Sequence, residues 1–221
     1  MNNVLVTGSN GQLGSELREI ASNYKDYNFT FTDIYDLDIT EHKIVREFIE
    51  VNNIDAIINC AAYTKVDTAE SEPELSNALN HLAVANFAQI AKEKNIKLIH
   101  ISTDYIFDGT NYKPYSETDI PNPKSVYGKT KLDGEKAILA INPSNSIIIR
   151  TSWVYSKYGN NFVKTMLEIA NTRDEIFVVS DQIGSPTNAA DLSKAILKIL
   201  PQIENNSTEI YHYTNEGVCS W

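Results

Sequence analysis

Cysteine is scarce in this chain: Cys60 and Cys219 are the two among 221 residues, far apart and without metal-ligand spacing. That excludes a cysteine metal knuckle and suits a reducing compartment. Long apolar runs are missing too, so nothing reads as a membrane span, and the first residues enter a strand at once without a signal-peptide pattern. A cytoplasmic location is expected. Basic residues are in deficit, 19 Lys and Arg against 29 Asp and Glu, for a formal net charge of −10. This excludes nucleic acid and anionic membrane as bulk partners, because phosphate-rich surfaces demand clustered cations. A small anionic ligand stays open, since backbone N–H groups and one or two local cations can hold it. His42, His81 and His212 form no metal-like cluster, and His100, alone on a strand, reads as a core residue or a support behind a site.

What is present is alternation. With 42% hydrophobic residues, the chain can bury a full core in one domain, or in one domain plus a small lobe. Strands are expected at Asn3–Thr7, Phe29–Thr32, Ala56–Asn59, Lys97–Ser102 and Ser146–Arg150. Helices are expected between them at Gln12–Asn23, Glu41–Asn52, Leu75–Lys94 and Ser125–Ile141. In the third helix Leu79, Leu82, Ala83, Phe87, Ile90 and Ala91 recur at spacings of three and four, marking one buried face. The strands are nearly continuous apolar runs, as when helices cover both faces of a parallel sheet. The fold class is therefore α/β, a doubly wound parallel sheet over residues 1–150. Beyond Thr151 the regularity weakens. A helix at Phe162–Ala170, a strand at Ile176–Val179, a helix at Ala189–Leu200 and a strand at Glu209–Tyr213 are expected. Residues 151–221 then form part of a small substrate lobe with crossovers back to the first domain. The chain stops in mid-pattern with an exposed indole, Trp221, so an incomplete lobe is expected.

Directly behind Val4-Leu5-Val6 lies Thr7-Gly8-Ser9-Asn10-Gly11-Gln12-Leu13-Gly14. Glycines after a strand and opening a helix are the context of a dinucleotide site. Gly8 permits the tight turn, Gly11 lets the backbone approach a pyrophosphate, and Gly14 lets the helix pack closely on the sheet. The helix N-terminus offers the phosphates unpaired N–H groups and partial positive charge. Asp33, at the end of the second strand, suits a ribose 2′-hydroxyl and would repel a 2′-phosphate, which favours NAD over NADP. Asp36 and Asp38 are close enough to compete for that role.

Tyr127 and Lys131 stand four residues apart, so on a helix they share a face. A free tyrosine titrates near ~10. A neighbouring ammonium stabilises the phenolate and is expected to lower that value, poising the phenol for proton transfer to a carbonyl reduced by a nicotinamide. Thr103, at the end of the fourth strand, would hydrogen-bond the same carbonyl oxygen, and strand carboxyl ends are where ligands bind in such sheets. Lys129 faces away from Tyr127. Asp104, beside Thr103, suits a sugar hydroxyl, or caps a loop.

These residues carry a wider likeness. The chain resembles the dTDP-4-dehydrorhamnose reductases, extended short-chain dehydrogenase/reductases with a Rossmann fold. The stretches that carry it are Gly8–Gly14, Asn59–Asp67, Ala69–Pro73, Ser102–Gly109, Val126–Lys131, Arg150–Tyr155, Gly159–Phe162 and Asp181–Thr187. The resemblance implies reduction of the 4-keto group of dTDP-4-dehydro-β-L-rhamnose by NADH or NADPH, giving dTDP-β-L-rhamnose for surface polysaccharides. It assigns catalysis to Thr103, Tyr127 and Lys131. It assigns cofactor contacts to Gly11, Gln12, Leu13, Asp33, Asp38, Ile39, Ala62, Tyr63 and Thr64, and substrate contacts to Thr103, Asp104 and Trp153. Some members bind Mg²⁺ through glutamates at a dimer interface. Glu16 matches one of these, but Ala190 stands where another would be, which weakens the case for the metal and that mode of dimer; a monomer or homodimer is expected. The family also continues past the Ser-Trp at which this chain ends. Two other roles occur among relatives: another nucleotide-sugar epimerase, dehydratase or reductase of the same superfamily, and a regulatory subunit of methionine adenosyltransferase. The intact Thr103, Tyr127 and Lys131 count against the second.

Overall fold

A computed structural model describes residues 2–221. The first half runs β1 (Asn2–Thr7), α1 (Gln12–Ile20), β2 (Tyr27–Thr32), α2 (His42–Val51), β3 (Ala56–Asn59), α3 (Val66–Ala69), α4 (Pro73–Asn77), α5 (Ala83–Lys94) and β4 (Lys97–Thr103). The second runs α6 (Val126–Ile141), β5 (Ser146–Thr151), β6 (Val154–Tyr155), α7 (Phe162–Ala170), β7 (Ile183–Gly184), β8 (Thr187–Asn188), α8 (Ala189–Ile199), β9 (Glu209–His212) and β10 (Cys219–Ser220).

Six strands form one parallel sheet in the order β2-β1-β3-β4-β5-β9. Each strand is apolar on both faces because helices cover both. Leu5, Ile57, Leu98 and Ile148 pack with Val45 and Ile49 of α2, Phe87 and Ile90 of α5 and Ile138 of α6. Val6, Ile58, Ile99 and Ile149 face the other way, against Leu13 and Leu17 of α1 and Leu192 and Ile196 of α8. Each such aliphatic side chain, fully buried, contributes about 1.5–3 kcal/mol. The doubly wound α/β class read from the sequence is thus present. Strand order reverses between β1 and β3, and the crevice outside the carboxyl ends at such a switch point is where doubly wound sheets bind ligands.

Three details depart from the sequence reading. Residues 176–179 form no strand. The run is rich in β-formers, but no strand pairs with it among the described residues, and Phe177 is 92% exposed; β-propensity without a partner edge does not make a strand. The helix expected from Leu75 begins at Pro73 and is interrupted by a π-turn, Ala78–Leu82. The extra residue in that turn shifts the helical phase, so Leu82, expected in the buried face, is 44% exposed. The first helix ends at Ile20 and closes in a 3₁₀ turn, Ala21–Asn23.

Candidate active site

The glycine loop fills the space between β1 and the chain leaving β3. Gly8 has φ +65°, and a Cβ there would lie 2.7 Å from Ala61 Cα. Gly14 lies so close to the loop that a Cβ would lie 2.5 Å from Ser9 Cα and overlap the Gly8 carbonyl. Gly11 differs: it is exposed, and its built Cβ meets only the Gly8 oxygen, at 3.2 Å. It is also the N-cap of α1 and provides no side-chain cap, so the first N–H groups of that helix face outward without a side-chain partner. Open backbone and uncapped amides at a helix start fit a pyrophosphate. The side chains of Gln12 and Leu13 are turned away from the loop opening. The Gln12 amide is committed to the Val154 carbonyl (3.2 Å) and Asn161 Nδ2 (3.0 Å), and Leu13 is buried in the core.

Asp33 follows β2 directly. Its carboxylate accepts the Asn10 N–H at 2.8 Å and the Ile34 N–H at 2.9 Å, which holds it beside the glycine loop. Asp36 turns inward to accept the Asp33 N–H (2.9 Å), and Asp38 accepts the Thr40 N–H and hydroxyl. Asp33 is thus the carboxylate beside the loop, and the other two hydrogen-bond within the turn. Ile39 is buried in the α2-side core. Across the crevice, Ala62 is half-buried, Thr64 is exposed, and Tyr63 is buried with its hydroxyl donating to Glu72 at 2.6 Å.

At the carboxyl end of β4, Thr103 caps a short 3₁₀ turn by accepting the Tyr105 N–H (3.2 Å) and donates to Asp104 Oδ1 (3.1 Å). The Tyr127 ring is buried edge-on against Tyr105, centroids 5.5 Å apart. Burial pushes the Tyr127 phenol up to about 12; the Thr103 hydroxyl pulls it down, and Asp104 pushes it up. This corrects the expectation that Lys131 lowers it. Lys131 is buried and held on β4, donating to the Ile101 carbonyl at 2.7 Å and lying 3.3 Å from His100 Nε2. Burial brings its own value down to about 8. For Lys131 desolvation outweighs the pull of Glu135 and Cys60, and for Tyr127 it outweighs the Thr103 hydrogen bond.

On the substrate side, burial raises the Asp104 carboxyl to about 6. It has a hydroxyl partner and no cation, so it can pair with a further hydroxyl. Trp153 has φ +46°, a strained conformation for a bulky residue, and such strain clusters at ligand sites. Its ring stacks on Trp221 with centroids 3.7 Å apart and planes 12° apart. Trp221 is therefore half-buried, correcting the exposed indole expected from the sequence, because Trp153 and Phe162 give it a surface to lie on. Glu16 is buried and accepts the Ser156 hydroxyl. Among the described residues no three His, Cys, Asp or Glu side chains converge as a cation would need.

Two supports escaped the sequence reading. Asn80, in the π-turn, accepts the Tyr63 N–H (2.9 Å) and donates to the Tyr63 carbonyl (3.1 Å), pinning the 62–64 loop to the helix. A polar residue within an apolar helical face was the available signal. One turn beyond Lys131, Glu135 forms a buried ion pair with Arg150 at 2.7 Å and accepts the Ser102 hydroxyl. The i, i+4 spacing from Lys131 was visible; its partner Arg150 on β5 was not.

Comparison with known proteins adds to this geometry. The family model described as RmlD substrate binding domain matches residues 1–221. A dTDP-4-dehydrorhamnose reductase of Aggregatibacter actinomycetemcomitans is 43% identical over 224 residues, spanning 100% of this chain and 76% of the relative. The crystal structure of a Bacillus anthracis dTDP-4-dehydrorhamnose reductase in complex with NADP superposes with TM-score 0.93 at 42% identity, covering 100% of this chain and 78% of that one. The corresponding Clostridium acetobutylicum structure gives TM-score 0.92 at 42% identity, covering 99% and 76%.

Proposed function

This chain belongs to the dTDP-4-dehydrorhamnose reductase family, and on that premise we propose that it reduces the 4-keto group of dTDP-4-dehydro-β-L-rhamnose to dTDP-β-L-rhamnose. The observation that carries the reading is the buried Tyr127 phenol beside Thr103, at the strand ends that flank the glycine loop. A nicotinamide dinucleotide bound in the crevice there would supply the hydride.

The chain's own residues do the rest. Gly11 and the first N–H groups of α1 receive the pyrophosphate, and Asp33 receives the adenosine ribose. A carboxylate at that point favours NADH without barring NADPH. Ala62, Tyr63 and Thr64 form the opposite wall of the crevice. Thr103 donates to the carbonyl oxygen and orients it. As negative charge develops there, Tyr127 donates its proton. A phenol with its value near 12 holds that proton throughout the neutral range, and an alkoxide is a strong enough base to take it. Lys131 would support the phenolate left behind, although its amine is held on the Ile101 carbonyl and beside His100 and does not set the resting value of the phenol. Asp104 and Trp153 hold the sugar, one by a hydroxyl and one by its apolar face. We assign residues 1–150 to dinucleotide binding and 151–221 to the substrate lobe, with α8 and β9 returned to the central layers. The working location is the cytoplasm, with the chain acting as a monomer or a homodimer.

Tyr127→Phe tests the reading. Removal of a general acid costs about 10²–10⁴ in rate. The variant should lose kcat by that factor while binding NADPH as the unaltered protein does. Turnover within threefold of the parent would refute the proton-donor role.

A further inference from the structure

Thr7, Asn59 and His100 are direct cross-strand neighbours, Thr7 opposite Asn59 and Asn59 opposite His100. They lie two residues beyond Leu5, Ile57 and Leu98, on the same sheet face, so they form a polar row that terminates an apolar one. All three are buried, at 1%, 1% and 0% exposure. Thr7 Oγ1 donates to Asn59 Oδ1 at 2.7 Å, and Asn59 Nδ2 lies 3.1 Å from His100 Nδ1. His100 Nε2 in turn lies 3.3 Å from Lys131 Nζ. Buried polar groups are seldom kept without a use, because each one unpaired costs about 1–3 kcal/mol.

Hydrogen counting shows what this row can do. Burial and the neighbouring Lys131 push His100 well below its ordinary value, so it is neutral and carries one ring proton. With the Asn59 amide donating to Nδ1, that proton sits on Nε2, and Lys131 meets it as a neutral amine. An ammonium at Lys131 instead needs an acceptor at Nε2. The proton then sits on Nδ1, and the Asn59 amide turns over to present its oxygen. In the second arrangement Thr7 Oγ1 accepts from the turned amide instead of donating to its oxygen. The other groups facing Lys131 do not compete: the Cys60 thiol is pushed up to about 12 and stays neutral, and Glu135 is engaged by Arg150.

We propose that His100 is a positioning residue for the reduction: anchored through Asn59 to Thr7, it holds Lys131 Nζ and accommodates the amine or the ammonium by its choice of tautomer. This rests on the reductase reading and extends it. His100 touches no reacting atom; it acts through Lys131, and it joins the residue at the base of the glycine loop to the lysine that serves Tyr127.

Two substitutions separate its contacts. Glutamine places an amide oxygen near the Nε2 position and keeps an acceptor for Lys131; asparagine matches the Nδ1 position, keeping Asn59 and dropping Lys131. With dTDP-4-dehydrorhamnose and NADPH, His100→Asn should move the alkaline limb of the kcat profile down by about one pH unit, the worth of one hydrogen bond to a charged group. His100→Gln should leave the limb in place. Equal limbs in parent and H100N, or losses in both variants that simply follow Tm, overturn the proposal. A second measurement needs no variant. Nitrogen-15 spectra of the unaltered protein should show the His100 ring exchanging one neutral tautomer for the other across the pH interval of the limb. A single tautomer throughout also overturns it. If the unaltered protein fails to reduce the ketosugar, the reductase reading falls, and these spectra still judge His100 on their own.

Discussion

Replacing each loop glycine by alanine separates what the loop needs to fold from what it needs to bind. At Gly8 the φ of +65° and a Cβ 2.7 Å from Ala61 backbone atoms act together. A left-handed non-glycine residue costs about 1–2 kcal/mol and overpacking a further 1–3 kcal/mol or so, for roughly 2–5 kcal/mol in all. In a chain of this size each kcal/mol lowers Tm by about 2–4 °C, so Gly8→Ala should melt roughly 4–20 °C early. Gly14→Ala meets Ser9 Cα at 2.5 Å, and alanine's helix preference offsets part of that cost. Gly11→Ala is different in kind. Its φ of −73° and ψ of 176° are open to any residue, and its one close neighbour, the Gly8 oxygen, is 3.2 Å away. It should cost about 1 kcal/mol or less, yet place a methyl where a pyrophosphate must approach. Melting curves with and without NADPH, together with titration of the cofactor, read both effects. G11A should keep its Tm within a few degrees, lose at least about tenfold in NADPH affinity, near 1.4 kcal/mol, and lose the shift in Tm that NADPH gives the parent. A G11A protein that binds NADPH like the parent, or a G8A protein that melts like it, would refute the assignment of the crevice.

Three further predictions follow from the surroundings of the site. Glu135→Leu leaves Arg150 buried without its carboxylate, which typically costs about 3–5 kcal/mol, whereas E135L combined with R150M should recover most of that; equal melting of the single and double variants would contradict the coupling. Asp104 has a folded-state value near 6 against 3.8 when free, so the folded protein binds the proton more tightly and loses stability as pH rises from about 4 through 6. Asp104→Asn should flatten that decline and melt later than the parent at pH 8; parallel Tm curves between pH 4 and 8 would count against it. Trp153 and Trp221 are the chain's only tryptophans and lie 3.7 Å apart, so the exciton couplet in circular dichroism should vanish in Trp221→Ala; a parent spectrum without the couplet would deny the stack.

The reach of the sequence depended on how local each signal was. The glycine turn, the alternation of strands with amphipathic helices and the i, i+4 pair of Tyr127 and Lys131 are short-range patterns that follow from backbone geometry, and the structure has the expected sheet around them. Other features are set across the sheet. The row of Thr7, Asn59 and His100 exists only because parallel register brings three strand ends level, and residues 7, 59 and 100 carry no mutual signal along the chain. Residues 176–179 look like a strand because propensity is local, and fail to be one because pairing is not. The Tyr127 case shows the same division in energetic form. Spacing predicts an ammonium near a phenol and hence a lowered value, but the value is decided by how much water both groups lose, and burial is a property of the whole fold. A bound dinucleotide would change this balance by filling the crevice and offering Lys131 new partners. If Tyr127 and Lys131 act as the proposed acid–base pair, completed when the cofactor binds, the alkaline limb of kcat and the pH dependence of cofactor affinity should report the same lysine. Limbs that differ by more than about one unit between these two measurements would place that ionisation elsewhere.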